Sequence, residues 1–293
     1  MTLILVVKEM LNKNQNQSTG NSCTAIQAET IIVNSQGLSY EDVSKICHDI
    51  FEQNFYKLSA EAYEIATKRA QELIEEFLRE LKSQNPDGLN QVIDPDFQYD
   101  LFIAQREYAR CGDSILLEML TRFLIERTKE TEKTLKQIVL NESLNVTSKL
   151  TEEEFNILTI IFVLQHHSEQ HTFHNTAEFA NYIATYILPF WSSTGKEDSL
   201  RAHLLYTGCG SHLFFRVTNL EDFLKSKYNG LPLENFSSLK TSIEGVDPRI
   251  KSFFDLFENS LVNHMFLTTV GIAIGYANLC RVIDEKFDLS NWI

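Results

Sequence analysis

Residues 59–82 read Ser59-Ala-Glu-Ala-Tyr-Glu-Ile-Ala-Thr-Lys-Arg-Ala-Gln-Glu-Leu-Ile-Glu-Glu-Phe-Leu-Arg-Glu-Leu-Lys82. Ala62, Ala66, Ala70, Leu73, Phe77 and Leu81 recur every three or four positions, which places them on one stripe of an α-helix. Glu64–Lys68 and Glu75–Arg79 stand four apart, a spacing that pairs charges on the wet side. Ser59 offers a capping hydroxyl, and Asn85-Pro86-Asp87-Gly88 cannot continue the helix. The segment therefore predicts a helix over 60–82 with a face that other helices must cover.

The same signals recur outward from it. Ser39-Tyr-Glu-Asp42 resembles a capping box and opens a helix to about Asn54. Asp94-Pro95-Asp96 starts a helix that runs to about Cys111, with Gly112 suited to its C-terminal turn and Asp113 to the next N-cap. That next helix buries Leu116, Met119, Leu120, Phe123 and Leu124, and a fifth covers about Glu132 to Val146. Thr151-Glu-Glu-Glu154 caps a sixth, with Phe155, Leu158, Ile161, Phe162 and Leu164 as its core face. Past His166 the signals thin. Thr176–Leu188 reads as helix ending at Pro189, Ser211–Val217 as a strand, and Thr218-Asn-Leu-Glu221 as a cap for a short helix to about Lys227. Asp247-Pro248 begins a helix to about Asn263, and Thr268 or Thr269 caps the last, to about Ile283. No self-similarity appears at the periods of helical repeats. The expected fold is mainly α: a helical bundle with a short N-terminal β-prone arm and minor β in the C-terminal half. The arm is residues 1–37, a helical domain covers 38–150, and a second helical region with minor β covers 151–293.

Composition excludes several function classes. The chain of 293 residues carries a formal charge of −14. Residues 38–150 hold 21 acids and 14 bases, residues 151–293 hold 17 and 10, and residues 1–37 are neutral. Such a chain repels nucleic-acid backbones and anionic membranes, so neither is an expected partner. Five cysteines without a C-x-x-C pair exclude a disulfide framework and the common zinc ribbons. There is no G-x-x-x-x-G-K-[ST] loop and no G-x-G-x-x-G, so no cofactor is expected.

The apolar start Met1–Val7 is too short for a signal peptide, and its first base, Lys8, follows rather than precedes it. A short strand, or a start placed slightly early, accounts for it. Met265–Ala277 is shorter than the ~20 residues of a spanning helix. Its Gly271–Gly275 pair fits close packing of a buried helix. No membrane span is expected, and the cytoplasm is the expected location.

Residues 12–37 differ from the rest: 9 of the 26 are Asn or Gln, and the only charges are Lys13 and Glu29. Thr24–Val33 alternates as one or two short strands, with Ile26, Ala28, Thr30 and Ile32 on one face. Such a piece buries nothing alone and must pair with the body, with copies of itself, or with a partner.

Gly20-Asn-Ser-Cys-Thr-Ala-Ile-Gln-Ala28 and Gly37-Leu-Ser-Tyr-Glu-Asp-Val43 resemble the start of an uncharacterised bacterial protein family. The resemblance continues through Asp94-Pro-Asp-Phe-Gln-Tyr99, Ala104-Gln-Arg-Glu-Tyr-Ala-Arg110, Ile138-Val-Leu-Asn-Glu-Ser143, Leu267–Ile274 and Leu289-Ser-Asn-Trp-Ile293, most of the chain from Gln15 onward. It implies no activity and supplies no catalytic residues. Similar N-terminal segments occur on bacterial proteins linked to conflict or phage defence. The family pattern has Gly where Glu29 stands and begins near Asn12. Ile26-Gln27-Ala28 also resembles the I/V-Q-x-G core of amyloid-type signalling motifs. Stacked copies would ladder their amides, and Glu29 would oppose the stack by like-charge repulsion. A small β-hairpin packed on the body is the simpler reading.

Candidate chemistry is sparse. His166, His167, His171 and His174 cluster around Glu169, and His167 and His171 have the four-residue spacing of a helix-borne metal pair. Without the H-E-x-x-H pattern, a solvated helix end is the preferred reading, and no metal is expected. Gly208-Cys209-Gly210 lacks the strand–turn–helix context of a nucleophile elbow and reads as a turn. Asp94 and Asp96 read as a turn and helix start. Tyr99, Arg106, Glu107, Tyr108 and Arg110 form a polar-aromatic stretch that reads as a half-buried helix, with an interface as the alternative. The expected function is a non-enzymatic interaction protein that self-associates through Ile26, Gln27, Ala28 and Ile32, or binds a protein partner, in bacterial defence or stress response. The alternative is a hydrolase-like enzyme with its site around residues 165–212.

Overall fold

The computed structural model describes residues 38–54, 58–171, 173–191, 197–212, 220–222, 236–257, 260–283 and 288–293. The arm with Ile26, Gln27, Ala28 and Ile32, and most of the expected strand and helix between 213 and 227, lie outside the described residues.

The first half follows the local signals closely. In α1 (Tyr40–Asn54) the Asp42 N–H donates to Ser39 Oγ at 3.2 Å and the Ser39 N–H donates back to Asp42 Oδ2 at 3.0 Å, a reciprocal cap. In α2 (Ala60–Gln84) the Ser59 hydroxyl accepts from the Ala62 N–H, and Ala66, Ala70, Leu73, Ile74, Phe77 and Leu81 are buried. Its surface pairing differs from expectation. Arg79 bonds Glu76 and Glu80, while Glu75 accepts from Gln71, because the three-residue offset to Glu76 brings side chains together as well as the four-residue one does. A 3-10 turn, Pro86–Ile93, follows. Next come α3 (Pro95–Cys111), capped by Asp94, and α4 (Ser114–Arg127), capped by Asp113. Between them Gly112 takes φ 67°, and the Arg69 guanidinium donates to the Ala109 and Arg110 carbonyls at the end of α3. The fifth helix, α5 (Leu135–Thr147), starts later than Glu132, since it is the Thr134 hydroxyl that captures the Gln137 N–H. The capping box of Thr151 and Glu154 opens α6 (Glu152–Gln165).

The second half contains α7 (Thr176–Tyr186), α8 (Glu197–Tyr206), α9 (Phe236–Glu244), α10 (Pro248–Phe257), α11 (Leu261–His264) and α12 (Thr269–Ile283). Two short strands, β1 (Gly210–His212) and β2 (Met265–Leu267), pair antiparallel with Gly210 opposite Leu267 and His212 opposite Met265. The apolar run Met265–Ala277 is thus not one helix. Its first residues form a strand, and the Thr268 hydroxyl, accepting from the Gly271 N–H, starts the helix after it.

Residues Gly37–Ile293 form one compact unit. In it α2 packs on α3 and α4, while α12 lies against α4, α5 and α6. Every residue of α12 from Gly271 to Cys280 is buried, as an all-round apolar helix requires. Its glycines set the approach. A Cβ on Gly271 would strike the Cys209 carbonyl, and one on Gly275 would lie 2.7 Å from the Leu158 carbonyl oxygen of α6. Asn278, fully buried beside them, donates to Thr159 Oγ1 at 2.8 Å and accepts from Arg281 Nε at 3.0 Å. No helix among the described residues is long and apolar enough to cross a membrane.

Candidate functional site

The N-terminal ends of α3 and α5 meet the C-terminal end of α4 around one guanidinium. Leu116, Leu120, Phe123 and Leu124 line the buried stripe of α4, and Arg127 continues that stripe, so its side chain enters the interior at 1% exposure. A cation there must find its partners in protein. Arg127 Nη2 donates to Asp96 Oδ2 at 2.9 Å, Nη1 to the Glu130 carbonyl at 3.0 Å, and Nε lies 3.2 Å from Asp100 Oδ2 and 3.1 Å from Asn141 Oδ1. Asp96 Oδ2 also accepts from Gln137 Nε2 at 2.7 Å and from Asn141 Nδ2 at 3.1 Å. Asp94, 4.0 Å from the guanidinium, caps α3 with the same carboxylate.

The two inner carboxylates are driven apart. Burial works to raise Asp96, but the donors Asn141, Arg127 and Gln137 outweigh it and hold the carboxyl below its ordinary range. Asp100 sits one turn deeper. Burial pushes it up, to about 7, against the pull of Arg127. Because the folded value stands above the ordinary 3.8, this group's contribution to stability is complete below that pH and is lost as the pH rises through about 7. Wild type is therefore expected to gain stability relative to Asp100→Asn between about pH 8 and about pH 5, with a slope of up to about 1 kcal/mol per pH unit. Urea unfolding of both proteins across that range measures it, and parallel curves would contradict the assignment.

Around this core opens a cleft of about 540 Å³. Asp94, Asp96, Asp100, Glu130, Glu132 and Glu142 line it against Arg127 and Lys133, so its charge balance is acidic. The rim is apolar. Tyr99 and Ile138 line the cleft at 59% and 49% exposure, and Ile93 and Leu135, at 66% and 60%, adjoin it in sequence. Gln137 Oε1 is buried there with no hydrogen-bond partner. Two stretches that carry the family resemblance, Asp94–Tyr99 and Ile138–Ser143, supply much of this lining.

Other candidates fall elsewhere. His167 and His171 are brought together, with Nε2 atoms 3.4 Å apart. The expected solvated helix end fits the exposed His174 but not His167, which is 1% exposed among aromatic rings and lowered by burial to about 4. Cys209 is fully buried, with its thiol pushed up to about 11 by burial, so it is no thiolate nucleophile at neutral pH. The polar-aromatic stretch of α3 divides between faces. Tyr99 is exposed at the cleft. Tyr108, at the far end, is buried and donates to Glu72 Oε2 at 2.8 Å, and Glu107 is held by Arg106 and Arg110. Among the described residues no group of three or more His, Cys, Asp or Glu side chains could hold a metal ion. No motif in the sequence marks Arg127, Asp100, Gln137 or Asn141. The available signal was an Asp and an Arg standing on the core stripes of two helices.

Residues 37–245 and 234–293 match the model of a protein family that is itself uncharacterised. Neither the curated proteins nor the solved structures contain a match.

Proposed function

The chain belongs to this uncharacterised family, and from that premise we propose that it is a non-enzymatic interaction and assembly protein. The body docks a basic, amphipathic segment of a protein partner in the cleft at Asp94, Asp96, Asp100 and Arg127. The arm self-associates through Ile26, Gln27, Ala28 and Ile32, where the neutral composition offers little electrostatic resistance. The N-terminal resemblance suggests bacterial defence or stress response, in the cytoplasm. The observation that carries the docking reading is the pairing of exposed apolar side chains with an acid-lined cleft. Apolar groups clustered on a surface mark interaction sites, and the acidic lining selects a cationic partner by charge complementarity.

The test uses a synthetic Lys/Leu amphipathic helix as probe. Tyr99→Ser/Ile138→Ser leaves the net charge unchanged, so a loss of probe binding of about tenfold or more would trace binding to the rim rather than to bulk acidity. Equal binding by wild type and variant would remove the docking reading. Light scattering tests the arm: deletion of residues 1–36 is expected to lower the oligomer mass, and an unchanged mass removes its assembly role.

A hydrolase is the second reading. It is favoured not around residues 165–212 but in the acidic cleft, where Asp96 and Asp100 both contribute to the lining, the first held low by its donors and the second raised by burial, as in an acid–base pair. Turnover of esters, phosphoesters or glycosides that is lost in Asp100→Asn and retained in the rim variant would support it.

A further inference from the structure

His167 opens the 3-10 turn His167–Gln170, and His171 ends it with φ −109° and ψ 136°. This geometry turns the two rings toward each other, Nε2 to Nε2, at 3.4 Å. That separation is the outer edge of an N–H···N bond. It is also the separation of two ring nitrogens bound at ~2.0–2.1 Å to one tetrahedral ion, roughly 3.3–3.4 Å.

The neighbouring contacts set the tautomer that such an ion needs at His167. His167 Nδ1 lies 2.8 Å from Tyr182 Oη, whose hydroxyl reaches the Val163 carbonyl at 3.3 Å. A hydroxyl that donates to the carbonyl can only accept from the ring, so Nδ1 carries the His167 proton and Nε2 carries the lone pair. Metal-binding histidines are oriented in this way, the outer ring N–H held and the inner nitrogen presented. The Tyr182 and Tyr186 rings flank both imidazoles, with centroids 5.8 and 5.0 Å from His167 and 5.1 and 6.1 Å from His171. They fix the ring planes.

We propose that His167 and His171 form a two-histidine site for a borderline divalent transition ion of the Zn²⁺ class. Among the described residues no third His, Cys, Asp or Glu completes the set. Two of the four tetrahedral positions are therefore left to water or to an external donor, one more than in sites that hold their ion by three protein ligands. The site is separate from the acidic cleft and does not depend on the docking reading.

The test uses tag-free, chelator-stripped full-length protein, titrated with Zn²⁺ by calorimetry and with Co²⁺ by visible absorption. Wild type is expected to take one ion per chain and to give the intense ligand-field bands of tetrahedral Co²⁺. His171→Gln, at the half-buried position, is expected to bind at least about tenfold more weakly and to lose those bands. Tyr182→Phe keeps both ligands and frees the tautomer, so a loss of about tenfold or more with an intact fold would report the orienting bond. His174→Ala is expected to match wild type. No saturable uptake by wild type, or equal uptake by wild type and His171→Gln, overturns the proposal and leaves the contact as a hydrogen bond between two histidines.

Discussion

Arg127→Ala is expected to destabilise the protein by about 3–5 kcal/mol, the loss that follows when one partner of a buried ion pair is removed. The guanidinium joins Asp96 and Asp100 of α3, Asn141 of α5 and the Glu130 carbonyl. Removing it strips the carboxyl of Asp100, at 1% exposure, of its Arg127 donor, and three helix ends lose their common tie. Arg127→Lys is expected to recover only part of the loss, since a single ammonium cannot reproduce the fork that reaches all these acceptors. Removing both charges separates desolvation from pairing. Arg127→Leu with Asp100→Leu is expected to lie closer to wild type than Arg127→Ala, because no buried Asp100 carboxyl is left without its donor. Urea midpoints for the series measure this, and a single Arg127→Ala within about 0.5 kcal/mol of wild type would show that the network carries no stability.

Gly275→Ala is expected to destabilise by about 1–3 kcal/mol, and Gly271→Ala by at least as much. The sign is the informative part. In an exposed helix the same change stabilises by roughly 1 kcal/mol, since alanine is the better helix former. Here the added methyl on Gly275 lies 2.7 Å from the Leu158 carbonyl oxygen and 2.9 Å from Phe162 Cβ, so α6 or α12 must move. On Gly271 it meets the Cys209 carbonyl, itself bonded to the Thr268 N–H at the start of α12. Gly245, whose nearest atoms stand at 3.4 Å, is the control, and Gly245→Ala is expected to change stability by less than about 0.5 kcal/mol. Thermal or urea melts of the three variants provide the check, and a stabilised Gly275→Ala would mean that the two helices are not in this close contact.

The helices were legible because their causes are local. Caps at Ser39, Ser59, Asp94, Asp113 and Thr151, and the stripe from Ala66 to Leu81, act across three or four residues, and a single sequence displays them in full. The small residues of α12 likewise announced a close contact without naming its partner. The limits appear where a local signal is satisfied in a second way. Asp94-Pro95-Asp96 is the helix start it resembled, yet its carboxylates also face Arg127, some thirty residues on, a pairing that no local pattern specifies. Met265–Leu267 was apolar enough for the helix that follows it, and only the presence of β1 alongside made it a strand. His167 and His171 had the spacing of a pair on sequence grounds, while their burial was set by Tyr182, Tyr186 and Trp292 arriving from other parts of the chain.

By itself, then, the sequence determined the helical class, most helix boundaries in the first half, the absence of familiar cofactor loops and the distribution of charge. The tertiary structure decided which charged groups are buried, which of them meet, and where apolar side chains stay exposed beside them. The physical reason is range. Backbone capping and amphipathic periodicity act within a turn or two of the chain, whereas the environment of a side chain is the sum of neighbours that only packing brings together.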